Sequence, residues 1–318
     1  MASTEPRPGP YDAPVRGRTA HLVAGLLLGV VAVSWAAIFI RLAEAPALSI
    51  AAYRLGLSAV PVSAFALARR RAELARLRRG EWLLLTASGA ALALHFAAWI
   101  ASLSRTTVAS SVALVTTQPV WVALLSALVL REAVSLQGVL AVLVATAGGV
   151  TIAGADIALS GEALVGDALA LVGAICAAVY FIVGRRVRPA MSLASYIGVV
   201  YTVAAALLLL AALAMGTPLS GFSARTWTMF VLLALVPQLL GHSALNWALR
   251  YLSAPFVSVT VLGEPIISTL LAIPFLGEWP GPVRVVGGAV TLAGVYLAVR
   301  EEAQLARRRA ELDAAAPA

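Results

Sequence analysis

The sequence predicts an all-α integral membrane protein, with ten transmembrane helices in two inverted five-helix repeats. Three observations predict it: the composition, the lengths of the apolar runs, and a register of 146 residues relating the two halves. Of 318 residues, 61% are apolar and 12% charged, whereas a soluble domain carries about 25% charged residues. Mean hydropathy is +0.93. Ten apolar spans follow one another at 19–40, 47–68, 81–103, 107–130, 135–155, 164–183, 192–214, 226–248, 254–276 and 283–299. Most reach the roughly 20 residues that a helix needs to cross about 30 Å of hydrocarbon. Helices are the default because an open sheet would leave backbone groups unpaired in lipid.

Residues 1–18, rich in proline and charge, read as a disordered cytoplasmic tail. Arg16 and Arg18 precede the first span and Ala43-Glu44-Ala45 resembles a cleavage site. The span is nevertheless longer than the 7–15 apolar residues of a signal peptide, and Pro46 would follow the cut, so it reads as an uncleaved first helix. Its Gly25 and Gly29 suit a close helix contact. Orientation comes from arginine, which supplies all 23 basic residues. With the N-terminus inside, eighteen arginines fall at inner ends, six of them between 69 and 79. Only Arg41, Arg105, Arg225 and Arg284 fall near outer ends, and Arg54 lies within a span. Arginine excess marks the cytoplasmic side, so both termini are expected inside a cell (plasma or inner) membrane. The net charge of +8 then reflects orientation and anionic lipid, not nucleic acid.

Pro119 in the fourth span and Pro265 in the ninth are 146 residues apart, as are Glu132 and Glu278, and Gly148 and Gly294. Leu124-Leu125 falls likewise on Leu270-Leu271. A block used twice is read as two halves. Five crossings separate equivalent points, and five is odd, so the second copy runs upside down. Inverted repeats are characteristic of secondary transporters with a site near the midplane. The expected layout is a first repeat at 19–155, an acidic outer connection at 156–167 (Asp156, Glu162, Asp167), a second repeat at 164–300, and a cytoplasmic tail at 301–318. Residues 301–313 are expected to extend the last helix inside.

The run Gly241-His242-Ser243-Ala244-Leu245-Asn246-Trp247-Ala248-Leu249-Arg250, with Leu262-Gly263-Glu264-Pro265 and Leu276-Gly277-Glu278, resembles the second EamA-type repeat of the drug/metabolite transporter superfamily. Ala52-Tyr53-Arg54, Gln118-Pro119-Val120-Trp121, Arg131-Glu132 and Gly148-Gly149 resemble the first. The resemblance covers residues 19–300. It implies ten helices in a five-plus-five inverted arrangement around a central cavity, moving small organic solutes; known members export amino acids and other metabolites. Gln118 stands where the second copy has Glu264, so the halves differ chemically.

Ionisable groups within a membrane are costly and face the bundle interior, which makes the few polar residues of the spans the site candidates. Glu264 and Gln118 fall near the midplane, counting about 1.5 Å per residue. Arg54 lies in the outer half of span two, poised either to pair with Glu264 or to snorkel outward. Glu264 has a second reading: Pro265 cannot donate to the Val261 carbonyl, and a protonated Glu264 side chain would cap it. Gln118 has another as glue between helices. His95 and His242 read first as helix–helix hydrogen-bonding groups, and no carboxylates or thiols at ligand spacing make them a metal site. Asn246 shares a face with His242. Among the deep aromatics, Trp35, Tyr53, Trp99 and Tyr180 would suit a planar or cationic solute or simply pack. Pro119 and Pro265 mark helix breaks.

No phosphate loop supports ATP-driven pumping. The lone Cys176 excludes an intrachain disulfide. No paired intramembrane carboxylates suggest hydrolysis, so no cofactor and no enzyme activity are expected. The reading is a secondary transporter, a monomer or weak homodimer, exporting a small organic metabolite or amino acid by alternating access, with protons as a candidate coupling ion. The competing class is an intramembrane enzyme or lipid-binding sensor on the same scaffold, which would need its polar groups clustered at one depth.

Overall fold

A computed structural model describes residues 15–106, 108–130, 135–154, 161–277, 279 and 281–315. The tail 1–14, Glu132 and Glu278 of the repeat register, and Asp156 of the acidic connection lie outside the described residues.

Helix α1 (Val15–Ser34) bends at Trp35 into α2 (Ala36–Leu42). Next come α3 (Ala47–Arg69), the short α4 (Arg71–Ala75) and α5 (Arg79–Ser102). The fourth apolar region is broken into α6 (Val108–Val115) and α7 (Gln118–Leu125), ending in a π-helical turn at Ser126–Leu130. Then follow α8 (Leu136–Gly154), α9 (Gly161–Val187) and α10 (Leu193–Ala214). The eighth region runs as α11 (Ala224–Leu233), a π-helical stretch Ala234–His242 and α12 (Ser243–Ala248). The ninth is α13 (Ala254–Thr260), a 3-10 turn Val261–Gly263 and α14 (Glu264–Leu276), and α15 (Pro282–Ala315) closes the chain.

The protein is an all-α multi-pass membrane protein. Among the described residues seven helical stretches are long and apolar enough to cross a membrane, from His21–Leu42 to Ala254–Leu276. The other three expected spans contribute shorter apolar helices, Gln118–Leu130, Leu136–Gly148 and Val285–Ala298. The fourth falls short because its helix is interrupted ahead of Pro119. The outward faces are apolar, with Val60, Leu83 and Leu128 each about 70% exposed (71%, 71% and 68%), as a lipid-facing surface requires.

Among the helix pairs that join the halves, two show how the contact is made. In the first, α8 lies along α15. A Cβ on Gly148 would fall 2.3 Å from Thr291 N, and one on Gly294 would fall 2.3 Å from Ala145 N. Only glycine lets the backbones approach this closely. Thr291 Oγ1 also donates to Ala145 O at 3.5 Å. In the second pair α3 lies along α10, stapled at both ends. At one end Ser49 Oγ donates to Pro218 O at 2.5 Å, and the Tyr53 hydroxyl donates to Leu219 O. At the other, the Ser192 N–H donates to Glu73 Oε1 at 2.6 Å. Burial alone would raise the Glu73 carboxyl, but bonds from Ser192 and Ser195 outweigh it and hold its pKa below the usual value.

Around these pairs, α9 packs along α5 and α12 along α1. A Cβ on Gly25 would lie 2.7 Å from Trp247, and one on Gly29 2.9 Å from Ala244 Cβ, so both glycines make the close contact expected of them. The cavity lies between these packed groups.

Candidate functional site

The interrupted helices converge on one cavity. It is narrow, lined mainly by apolar groups with a few polar side chains among them, and walled by helices from both halves. Arg54 comes from α3, His95 and Trp99 from successive turns of α5, Gln118 and Pro119 from the start of α7, and Tyr180 from α9. His242 ends the π-helical stretch, and Glu264 begins α14. Eight of the residues expected from sequence therefore share a wall.

Arg54 is 1% exposed, so it does not snorkel. Nor does it bond to Glu264: its Nε donates to Gln238 Oε1 at 2.9 Å, and its Cζ lies 4.0 Å from the Phe96 ring centroid. Aromatic and amide partners suit a guanidinium here because they hold it without neutralising it. Its Nη1 has no hydrogen-bond partner among the described residues, and the same holds for Trp99 Nε1, Gln118 Nε2 and Gln238 Nε2.

Glu264 sits where the ladder breaks. The Val261 carbonyl that Pro265 cannot serve accepts instead from the Glu264 backbone N–H through the 3-10 turn. The side chain is therefore not needed as a cap, and its carboxylate forms no hydrogen bond among the described residues. Pro119 takes the corresponding place in the first turn of α7. Both half-helix N-termini thus open onto the cavity with a polar side chain at their first residue.

His95 Nδ1 lies 2.9 Å from Gly173 O. A carbonyl can only accept, so this nitrogen carries the proton and the bond ties α5 to α9. The ring also stacks on Trp99 at 6.0 Å. His242 packs edge-on to Phe96 at 5.3 Å, and its Nδ1 has no partner among the described residues.

The remaining candidates stand away from the cavity. Asn246 is fully buried behind the wall, donating from Nδ2 to the Tyr180 hydroxyl and to His242 O. Trp35 stacks on Phe39 at 5.4 Å and meets Phe275 edge-on at 5.0 Å. Tyr53 belongs to a cluster with Phe222, Trp227 and Phe230 at the stapled end of α3. Pro265 is buried in the first turn of α14, beside Glu264. One residue escaped the sequence reading: Gln238, 0% exposed, holds Arg54 in place. Its signal is the Pro237-Gln238 dyad inside an apolar span, the same pairing of amide and proline as Gln118-Pro119.

The family model for EamA-like transporters matches residues 22–154 and matches again over 164–300. The chain belongs to this family. Membership places it among membrane transporters of small molecules rather than among enzymes. A protein of Streptantibioticus cattleyicolor described as "Probable terminal-alkyne amino-acid exporter" is 35% identical to this EamA-like transporter over 79 residues. That match takes in 25% of this chain and 26% of the relative. A protein solved by crystallography superposes with a TM-score of 0.73 at 19% identity, covering 90% of this chain and 99% of the other. That likeness speaks for the fold alone.

The cavity of this EamA-like transporter gives one direct expectation. Gln118→Leu should cut transport to below half while the amount of protein in the membrane stays near normal, because an amide donor is replaced at similar volume. Asn246→Leu should do the same by releasing Tyr180. Initial rates in proteoliposomes, normalised to protein, decide it: unchanged rates in both variants make these packing groups.

Proposed function

We propose that this transporter exports a small organic metabolite bearing both a carboxylate and an amine, an amino acid in the simplest case, by alternating access. The observation that carries the reading is the imbalance of hydrogen-bonding groups in the cavity. Arg54 Nη1, Trp99 Nε1 and Gln118 Nε2 are donors without acceptors among the described residues. A solute that completes them must bring several acceptor sites, and an ionised carboxylate offers about four. Glu264 presents the opposite need, a carboxylate without a donor, which an ammonium group meets. The amino-acid exporter named above is in keeping with this, though it shares only a quarter of its length with the chain.

The proposed architecture is ten crossings in two inverted repeats, 19–155 and 164–300. The two separate family matches support it, and so do the contacts between halves. Ala145 and Thr291 are 146 residues apart, as are Gly148 and Gly294, and each member of one pair meets a member of the other. Contacts of this reciprocal kind are what a two-fold relation produces. A single carboxylate at the cavity also suits protons as the coupling ion. The arginine distribution puts both termini in the cytoplasm.

Counterflow in proteoliposomes tests the substrate class. Amino acids should exchange, and analogues lacking either the carboxylate or the amine should compete at least about tenfold less well, as expected when one charge-assisted bond of roughly 1.5–3 kcal/mol is lost. Analogues that compete equally would remove Arg54 and Glu264 from the recognition step. Topology is checked in a Cys176→Ala background with an impermeant maleimide applied to intact cells. Glu162→Cys should label and Arg76→Cys should not; the reverse pattern overturns the inverted arrangement.

A further inference from the structure

Arg54 and Arg188 are the largest side chains buried to below 2% exposure among the described residues, and of the two Arg54 alone lines the cavity. Arg188 follows the last turn of α9. Burying a guanidinium costs several kcal/mol unless its donors are satisfied, so its bonds reveal what it is for. Its Nε donates to Asn246 O at 3.0 Å, and its Nη1 donates to Met191 O. Arg185, one turn earlier, reaches Leu249 O from Nη1 at 3.3 Å. Asn246 O and Leu249 O lie at the C-terminal end of α12, where carbonyls run short of helical donors and a cation is favoured. Burial and then the neighbouring Arg250 lower the Arg188 pKa to about 10, which leaves it charged at neutral pH.

The same seam continues inward. Asn246 donates to the Tyr180 hydroxyl, and Tyr180 lines the cavity. A ladder of polar contacts therefore runs between α9 and α12 from the cavity to the end of the bundle. Apolar packing follows a different plan. Helix α9 lies along α5 and α12 lies along α1, while α9 and α12 scarcely meet. The seam thus joins two packed groups largely by hydrogen bonds to neutral carbonyls, with one close apolar contact where Leu249 Cδ1 approaches Gly184. Water can replace such bonds at small net cost, whereas parting α1 from α12 would undo the glycine contacts at Trp247 and Ala244. If the bundle opens between rigid groups, this is the line along which it parts.

We infer that the α9–α12 seam is the cytoplasmic gate of the transport cycle, with Arg188 as its bolt and the Asn246–Tyr180 bond as its link to the cavity. The inference rests on the alternating-access reading and on the proposed topology, and it is independent of which solute is carried.

The test uses the full chain with Cys176→Ala and a cavity cysteine, Ser258→Cys, in inside-out and right-side-out vesicles. A membrane-impermeant methanethiosulfonate reports the rate of modification from each face, with no substrate present. Arg188→Gln should raise the rate from the cytoplasmic face at least fivefold and lower it from the outer face. Arg188→Lys, which keeps the charge but loses the fork, should fall between. Tyr180→Phe, a mild change that deletes only the hydroxyl, should also raise the cytoplasmic rate, and it keeps the test alive if Arg188→Gln does not assemble. A merely structural role would lower the amount of protein without moving the two rates in opposite directions. Equal rates in parent and variants on both faces, or no modification even in the variants, overturn the inference.

Discussion

Valine in place of Gly294 should leave almost no assembled protein in the membrane. The first atom of any side chain there would stand 2.3 Å from Ala145 N and 2.6 Å from Ala145 Cα. Those neighbours are backbone, so no rotamer change relieves the overlap; α8 and α15 must separate. Ordinary overpacking costs about 1–3 kcal/mol, and forcing two backbones apart along a whole interface lies at or above the upper end. The measurement is the monodisperse peak after detergent extraction, expected to fall more than tenfold, with Gly148→Val behaving alike. Gly56→Ala is the control, since a Cβ there meets nothing within 4 Å and alanine favours the helix by roughly 1 kcal/mol. A normal peak for Gly294→Val would mean that the two helices do not pack as described.

Glu264→Gln should reduce amino-acid counterflow at least tenfold, mainly through a raised apparent KM. Gln118 occupies the equivalent place in the first half, so the scaffold accepts an amide at this point and the variant should reach the membrane in normal amount. What is lost is the acceptor charge for the ammonium group, a charge-assisted bond of about 1.5–3 kcal/mol. A different mechanism gives a different pattern. If Glu264 carries protons instead, counterflow survives and only uptake driven by a pH gradient disappears. Normal rates in both assays would remove Glu264 from the site altogether.

The parts of the fold that were legible in the sequence are those fixed by depth and by backbone contact. Gly25 and Gly29 stood out as a close-contact pair, Gly148 and Gly294 only through their recurrence 146 residues apart, and Pro119 and Pro265 because a missing N–H must interrupt a helix somewhere. Depth in the bilayer also placed Glu264 and Gln118 near the midplane, with Arg54 in the outer half. Rotation about the helix axis was not legible. Trp35 and Tyr53 have the right depth, yet they point toward other rings, because a shift of one residue turns a side chain by about 100°. Gln238 was missed for a related reason. The run Ala-Leu-Val-Pro-Gln-Leu-Leu-Gly-His reads as the interior of an ordinary span, and hydropathy contains no trace of the π-helical widening that turns the amide toward Arg54. The partners of Arg188 were likewise hidden, since they are carbonyls and every residue has one.

The close contact of α8 with α15 has a consequence for biogenesis. Its two faces are made 146 residues apart, and at 5–20 residues per second the first waits roughly 7 to 30 seconds for the second to leave the ribosome. During that interval the groove at Gly148 is filled by lipid tails alone, and the half-made bundle is open to proteases of the membrane. Substitutions along this groove should therefore be felt during synthesis, as shortened lifetime of the nascent chain, rather than afterwards as a slower transport cycle.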